Sequence, residues 1–279
     1  MFFQLPNNIL IPKIGLGTFK LTEDIVEDVI LEAINVGYTH FDTAQAYNNE
    51  SGIGRAITKS KKPRESLFIT SKQQYHLPFE KAKQAFFKSL EDLQTTYIDL
   101  FLVHWPNHDK KVNQETWKFF EWLYEHQYVK AIGVCNFTRS QMDELLETAT
   151  IKPMVNQVEL NPTFTQEPLR RYLKEKDIQV MSYGPFARGA VFEGSTSETL
   201  KNVARKHTAT ISQICIAWGI NQDIPMIPKT KDLKRLEENY RGSQVSLSED
   251  EIKTISQLNT GKRKYTDPEN NPYGTYQDS

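Results

Sequence analysis

The chain has 279 residues, a net charge of −1 and a mean hydropathy of −0.56. That balance names neither nucleic acid nor a membrane surface as a partner, and no apolar run approaches the ~18–20 residues that span a bilayer. The opening MFFQLPNNIL has neither the basic region nor the apolar core of a secretory leader, and Cys135 and Cys215 form no disulfide framework, so a reduced cytoplasmic setting is expected. His104 and His108 are spaced like a helical metal pair, but Pro106 lies between them, and no metal site is expected.

Two short apolar runs split by Pro6-Asn7-Asn8 predict an N-terminal hairpin. Ile14-Gly15-Leu16 follows as a short strand. Thr22 is a predicted N-cap for a helix with apolar residues at Ile25, Val26, Val29, Ile30 and Ala33, closed by Gly37. Tyr38–Phe41 is the next strand, with Asp42 directly after it and Tyr47 in the polar loop beyond; a helix begins near Glu50. Leu67–Thr70 is a strand. Pro78 opens a helix with Phe79, Ala82, Phe86, Leu90 and Leu93 on one face, and Ile98–Val103 is an apolar strand buried on both sides. Helix Trp117–Tyr124, strand Val129–Val134, a capping box Thr138/Gln141, strand Met154–Val158, helix Glu167–Glu175 and strand Ile178–Ser182 continue the alternation. Helices at Ser197–His207 and Ile211–Asn221 carry predicted boxes Ser195/Glu198 and Thr210/Gln213. Strand Ile224–Ile227 and helices Leu233–Tyr240 and Glu249–Leu258 follow, and the tail from Gly261 reads as loop.

Eight strand–helix units with buried strands predict an α/β fold, a closed (β/α)8 TIM barrel, as one domain over residues 1–279. A doubly wound sheet is the alternative. In a barrel, function gathers at the C-terminal ends of the strands. Asp42, Lys72, His104, Asn136, Gln157, Tyr183 and Lys229 all fall at predicted strand exits and would share one rim. Each alone has a plain explanation as a turn former, solvated cation or hydrogen-bonded filler; the joint placement is what points to a site. A glycine fingerprint for dinucleotides is absent, since Lys20 stands where the third glycine after Gly15-x-Gly17 belongs, and Gly52-Ile53-Gly54 lies inside a helical stretch.

The segments GLGTF (15–19), GYTHFDTAQAYNNESGIGRAI (37–57), Lys72 after FITS, DLFLVHWP (99–106), AIGVCNF (131–137), VNQVELNP (155–162), SYGPFARG (182–189) and IPKTKDLKRLEENY (227–240) resemble the aldo-keto reductase family, in family order along nearly the whole chain. The resemblance implies a (β/α)8 barrel plugged at its bottom by the N-terminal hairpin. It implies NADPH/NADP+ as cofactor, a small-molecule carbonyl substrate, and a catalytic tetrad of Asp42, Tyr47, Lys72 and His104. In that scheme Tyr47 protonates the reduced carbonyl, Lys72 eases the proton's departure, Asp42 holds Lys72 and His104 orients the substrate oxygen. Carried over residue by residue, the cofactor set is Gly17, Thr18, Asp42, Cys135, Asn136, Gln157, Tyr183, Lys229, Thr230, Arg235, Glu238 and Asn239. Tyr183 would stack on the nicotinamide, Asn136 and Gln157 would bind its carboxamide, and Lys229, Thr230 and Arg235 would hold an adenosine 2′-phosphate. Phe19, Tyr47, His104 and Trp105 would line the substrate pocket.

Where the family often has Trp after GLGT, this chain has Phe19; where it often has Trp two residues after the catalytic lysine, this chain has Gln74. Cys135 stands for a common Ser, and Gly184-Pro185-Phe186 for Ser-Pro-Leu. The changes imply a pocket less aromatic and more polar on one side. A monomer is expected. Two other readings fit the sequence: a catalytically idle NADPH-sensing or partner-binding relative, and a barrel aldolase using Lys72 as a Schiff base.

Overall fold

The structure is a computed structural model that describes residues 2–270. Strands β1 (Phe2–Gln4) and β2 (Leu10–Pro12) pair antiparallel, turning through Asn8 in the left-handed region. Leu5 and Ile11 of this hairpin are buried, and Asn7 Nδ2 donates to Lys130 O (2.8 Å) near the start of a barrel strand. The hairpin therefore closes the N-terminal end of the barrel, as expected.

Eight further strands form one parallel sheet in chain order: β3 (Leu16–Gly17), β4 (His40–Asp42), β5 (Phe68–Gln73), β6 (Ile98–Val103), β7 (Val129–Cys135), β8 (Val155–Glu159), β9 (Gln179–Tyr183) and β10 (Met226–Ile227). Bridges Ile14–Met226 and Gly17–Lys229 join the first strand to the last, so the sheet closes and no edge is left unpaired. Helices α1 (Glu23–Val36), α2 (Glu50–Ser60), α3 (Phe79–Asp92), α4 (Lys110–Glu125), α5 (Arg139–Leu146), α6 (Glu167–Glu175), α7 (Gly194–Lys206), α8 (Ile211–Ile220), α9 (Leu233–Gly242) and α10 (Glu249–Ser256) surround it. Helices α3, α4, α6 and α8 pack on the strands, while α1 packs on α2 and α9, and α10 on α7. Between β6, α3 and α4 the filling is aromatic: Phe101 stacks on Phe120 (5.0 Å) and meets Phe86 edge-on (5.0 Å). Among the described residues, no helix is long and apolar enough to cross a membrane.

The differences from the sequence reading have local causes. The strand expected at Tyr38–Phe41 begins two residues later. Gly37 ends α1 in the left-handed conformation, and Tyr38 N still donates to Ala33 O, so Tyr38 belongs to the helix cap. Its ring turns outward onto Tyr240, and its hydroxyl donates to Leu236 O. Strand β5 runs to Gln73, which places Lys72 within the strand rather than after it. The Ser195/Glu198 box does not form. Helix α7 starts at Gly194 with Glu193 as its N-cap, and Ser195 falls inside the first turn. The Thr138/Gln141 and Thr210/Gln213 boxes do form.

Candidate active site

Side chains alternate along a strand, so His40 and Asp42 of β4 point the same way, as do Thr70 and Lys72 of β5. His40 and Thr70 form the lower layer of the barrel interior, with His40 Nε2 2.9 Å from Thr70 Oγ1. Above them Lys72 is fully buried; its ammonium donates to Asp42 Oδ1 (2.5 Å) and to Thr43 O (2.8 Å). The second Asp42 oxygen accepts Gln157 Nε2 from across the barrel (2.6 Å). Burial opposes the charge on Lys72, but the adjacent Asp42 carboxylate outweighs it, and the lysine pKa is raised.

Lys72 Nζ also lies 5.2 Å from the centroid of the Tyr47 ring. Tyr47 sits on a single 3-10 turn, Gln45–Tyr47, directly beyond β4. Burial pushes its phenol up to about 12, against the pull of the Lys72 ammonium. Two rings flank it: Phe19 at 5.1 Å, and His104 edge-on at 5.6 Å. Burial first, and the Lys72 charge second, hold His104 well below the usual histidine range, so it is neutral. Trp105 lies beyond His104, the rings 6.4 Å apart, and Phe19 is 47% exposed at the mouth. Tyr47, His104, Phe19 and Trp105 thus line one opening, above the Lys72–Asp42 pair.

On the opposite strands, Asn136 follows β7 in the left-handed conformation, which Asn tolerates. Its Oδ1 accepts the Tyr183 hydroxyl (2.7 Å), and its Nδ2 reaches Cys135 Sγ (3.1 Å) and His104 O (3.2 Å). Cys135 is buried and its thiol is held protonated by that burial. Gly17 N donates to Pro228 O (3.0 Å). The Thr18 hydroxyl is spent on Asp42 O (3.0 Å), which makes Thr18 a brace for β4 in this structure.

Lys229, Thr230, Arg235, Glu238 and Asn239 border one cavity of about 460 Å³, roofed by Phe186, Gly189 and Phe192 from the segment after β9. Partial burial, then the like charges of Lys231 and Lys20, depress the Lys229 pKa. Such surplus positive charge is relieved by an anion.

A model of the aldo/keto reductase family matches residues 13–260. The chain belongs to the aldo/keto reductase family. Over 268 residues it is 38% identical to the 9,11-endoperoxide prostaglandin H2 reductase of Trypanosoma cruzi, covering 95% of this chain and 94% of that protein. It is equally 38% identical to the glyoxal reductase of Bacillus subtilis, covering 95% of each. An aldo-keto reductase from a Medee basin deep-sea metagenome library superposes with a TM-score of 0.91 at 38% identity, over 97% of this chain and 100% of that one. The Bombyx mori aldo-keto reductase, solved in complex with NADP, superposes with a TM-score of 0.89 at 29% identity, over 100% of this chain and 99% of that one.

Within this aldo/keto reductase several supporting residues escaped the sequence reading. Asn49 Nδ2 donates to Thr18 O (3.0 Å) and Leu21 O (2.8 Å), while its Oδ1 accepts Thr43 Oγ1 (2.7 Å). It ties the loop bearing Phe19 to the loop bearing Tyr47. Buried Glu50 accepts Ser71 Oγ (2.5 Å) and Ser89 Oγ (2.8 Å), and Ser89 Oγ accepts Gln45 Nε2 (3.1 Å) from the Tyr47 turn. His76 bridges Thr116 Oγ1 and Trp105 O, at 2.8 Å each. Glu159, buried at the end of β8, belongs to the same group. The polar run Asn48-Asn49-Glu50 beside the Asp42 loop was the available signal for two of them.

Proposed function

We propose that this protein reduces the carbonyl group of aldehydes and small ketones to an alcohol with NADPH, using Tyr47 as the proton donor. One observation carries the reading: a buried Lys72–Asp42 pair lies beneath the Tyr47 ring, with neutral His104 beside that ring. Relatives with carbonyl reductase names support it, among them a glyoxal reductase.

The residues present fit the cofactor. The cavity bordered by Lys229, Thr230 and Arg235 offers two cations and a hydroxyl to a 2′-phosphate. Glu238 and Asn239 lie on the same cavity for the adenine. Tyr183 offers an aromatic face, Asn136 and Gln157 offer amides to a carboxamide, and Cys135, Gly17 and Thr18 shape the surrounding wall. When bound, the reduced nicotinamide supplies the hydride. The chain's own residues do the rest. Tyr47 gives its phenolic proton to the carbonyl oxygen as negative charge develops there. Lys72 stabilises the phenolate that Tyr47 becomes, and Asp42 keeps Lys72 charged and in place. Neutral His104 retains one ring N–H to donate to the same oxygen, and Phe19 and Trp105 bound the substrate.

A Schiff-base aldolase needs a neutral amine. The raised pKa of Lys72 and its two hydrogen bonds at Asp42 and Thr43 oppose that role.

The test is NADPH consumption with a panel of small aldehydes, dicarbonyls, keto sugars and steroid ketones, with NADH in parallel. Tyr47→Phe should lower kcat by ~10²–10⁴-fold, the usual worth of a positioned acid, while NADPH binding stays unchanged. Near-normal turnover by Tyr47→Phe would overturn the assignment. Equal efficiency with NADH would remove the 2′-phosphate role of Lys229 and Arg235.

A further inference from the structure

Tyr183, the aromatic face offered to the nicotinamide, is itself supported from the far end of the chain. Tyr265 meets the Tyr183 ring edge-on, with centroids 5.3 Å apart and planes at 89°. The backbone there is fastened by one carboxylate: Glu159 Oε1 accepts Lys264 N (2.8 Å) and Oε2 accepts Tyr265 N (3.1 Å). Glu159 is the last residue of β8, fully buried, and two residues from Gln157. Charged acceptors of this kind make the stronger hydrogen bonds. Upstream, Thr260 N and Oγ1 both donate to Thr163 O, and Asn259 Oδ1 accepts Thr165 N. Residues 259–265 are thus laced to the loop that follows β8.

Two further contacts tie this strap to the cofactor side. Gly184, directly after Tyr183, has a φ of +64°, and a Cβ placed there would lie 2.6 Å from Tyr265 Cε2. Only glycine permits both that conformation and that approach. The Arg188 guanidinium lies over the Tyr265 ring, 4.6 Å from its centroid. Arg188 belongs to the same segment as Phe186, Gly189 and Phe192, which roof the cavity at Lys229 and Arg235. One tyrosine therefore touches both the nicotinamide platform and the segment over the phosphate end.

We propose that Tyr265, fastened by Glu159, is a positioning residue for the cofactor: it buttresses Tyr183 and the 186–192 segment and so sets how long NADP(H) is retained. This rests on the NADPH reading above. Tyr265 acts through Tyr183 and Arg188, so the chemical step itself keeps Tyr47, Lys72 and His104 untouched.

The experiment measures NADPH binding by quenching of protein fluorescence and NADPH release by stopped flow, with thermal unfolding of each apo variant alongside. Losing one edge-on aromatic pair, Tyr265→Ala should release NADPH about 3- to 10-fold faster and weaken binding by a similar factor. Tyr265→Phe keeps the ring and should stay within about twofold of the natural protein on the same reasoning. Glu159→Gln has one acceptor oxygen for two backbone donors and should fall between the two. A folded Tyr265→Ala that releases NADPH at the natural rate overturns the proposal. If Tyr265→Phe is as impaired as Tyr265→Ala, the ring is not the buttress and the proposal also fails. Failure of the natural protein to bind NADPH would instead overturn the cofactor reading on which both rest.

Discussion

At the scale of single residues, the site holds two neighbouring bases in opposite charge states. Lys72 is kept charged by Asp42, while His104 is kept neutral by burial and by that same Lys72 charge. A neutral imidazole beside an ammonium needs no proton from solvent to donate one hydrogen bond, and its folded pKa is displaced downward from 6.5. His104 therefore stays neutral as pH falls through 6.5 and protonates only well below it. The expected pH profile of kcat/KM is flat on its acid side through about pH 6.5, the ordinary histidine value. An acid inflection near that pH, lost in His104→Gln, would show that His104 titrates where a solvated histidine does. Tyr47 must carry its proton to act as an acid, and its upward displacement to about 12 leaves it protonated in the neutral range.

At the scale of elements, the decisive piece is the short turn Gln45–Tyr47, because a single 3-10 turn has little intrinsic stability. It is held from behind. Gln45 Oε1 accepts Gln74 N (3.1 Å) and its amide donates to Ser89, which in turn donates to Glu50. Glu50 also takes Ser71, the neighbour of Lys72 facing the opposite side of β5. One buried carboxylate thus couples the turn bearing Tyr47 to the strand bearing Lys72. Glu50→Ala strands two buried hydroxyls and should cost about 2–4 kcal/mol of stability, with a fall in kcat of roughly tenfold and little change in NADPH affinity. Urea denaturation and steady-state kinetics measure both; natural kcat in a destabilised Glu50→Ala would mean that the turn is not held through Glu50. The same contrast explains what was legible in the sequence. Asp42, His104, Asn136 and Tyr183 stood out because the period of strands and helices, together with barrel closure, puts strand ends on one rim. The Ser89–Glu50 bond joins residues 39 apart and the Tyr265–Glu159 bond residues 106 apart, and no periodicity encodes such pairs. Tyr273 and Tyr276, in the tail that reads as loop, lie outside the described residues. The Thr18 hydroxyl donates to Asp42 O, a bond between residues 24 apart that no pattern in the sequence encodes.

At the scale of the whole molecule, the barrel interior carries its polar groups at a cost that depends on pH. His40 lies fully buried below the Lys72–Asp42 pair, with its Nδ1 unpartnered, and burial followed by the Lys72 charge pushes it down to about 3. His76 and His104 are displaced in the same direction, burial again leading. The unfolded chain binds protons at these histidines near pH 6.5, whereas the folded chain does not. Between the two values the unfolded state holds more protons, so stability rises with pH and is lost as pH falls from about 6.5 toward His40's folded value. Glu50 and Glu159 act in the opposite sense above the ordinary carboxylate value of 4.5: burial raises their folded pKa values, so acidification from those raised values down to 4.5 adds stability. The contribution of the buried histidines should therefore decline on acidification from about pH 7 to 5, and a variant that removes one of them separates it from the opposing carboxyls. A His40→Gln variant fills similar space without a titratable ring; its starting stability can differ, so the slope is the informative quantity. Denaturant midpoints at several pH values should give a shallower slope for His40→Gln, the difference amounting to about 1–2 kcal/mol by pH 5 for a single histidine held neutral. Equal slopes would mean that His40 takes up its proton in the folded barrel as readily as in the unfolded chain, which a ring enclosed beneath the Lys72 ammonium should not do.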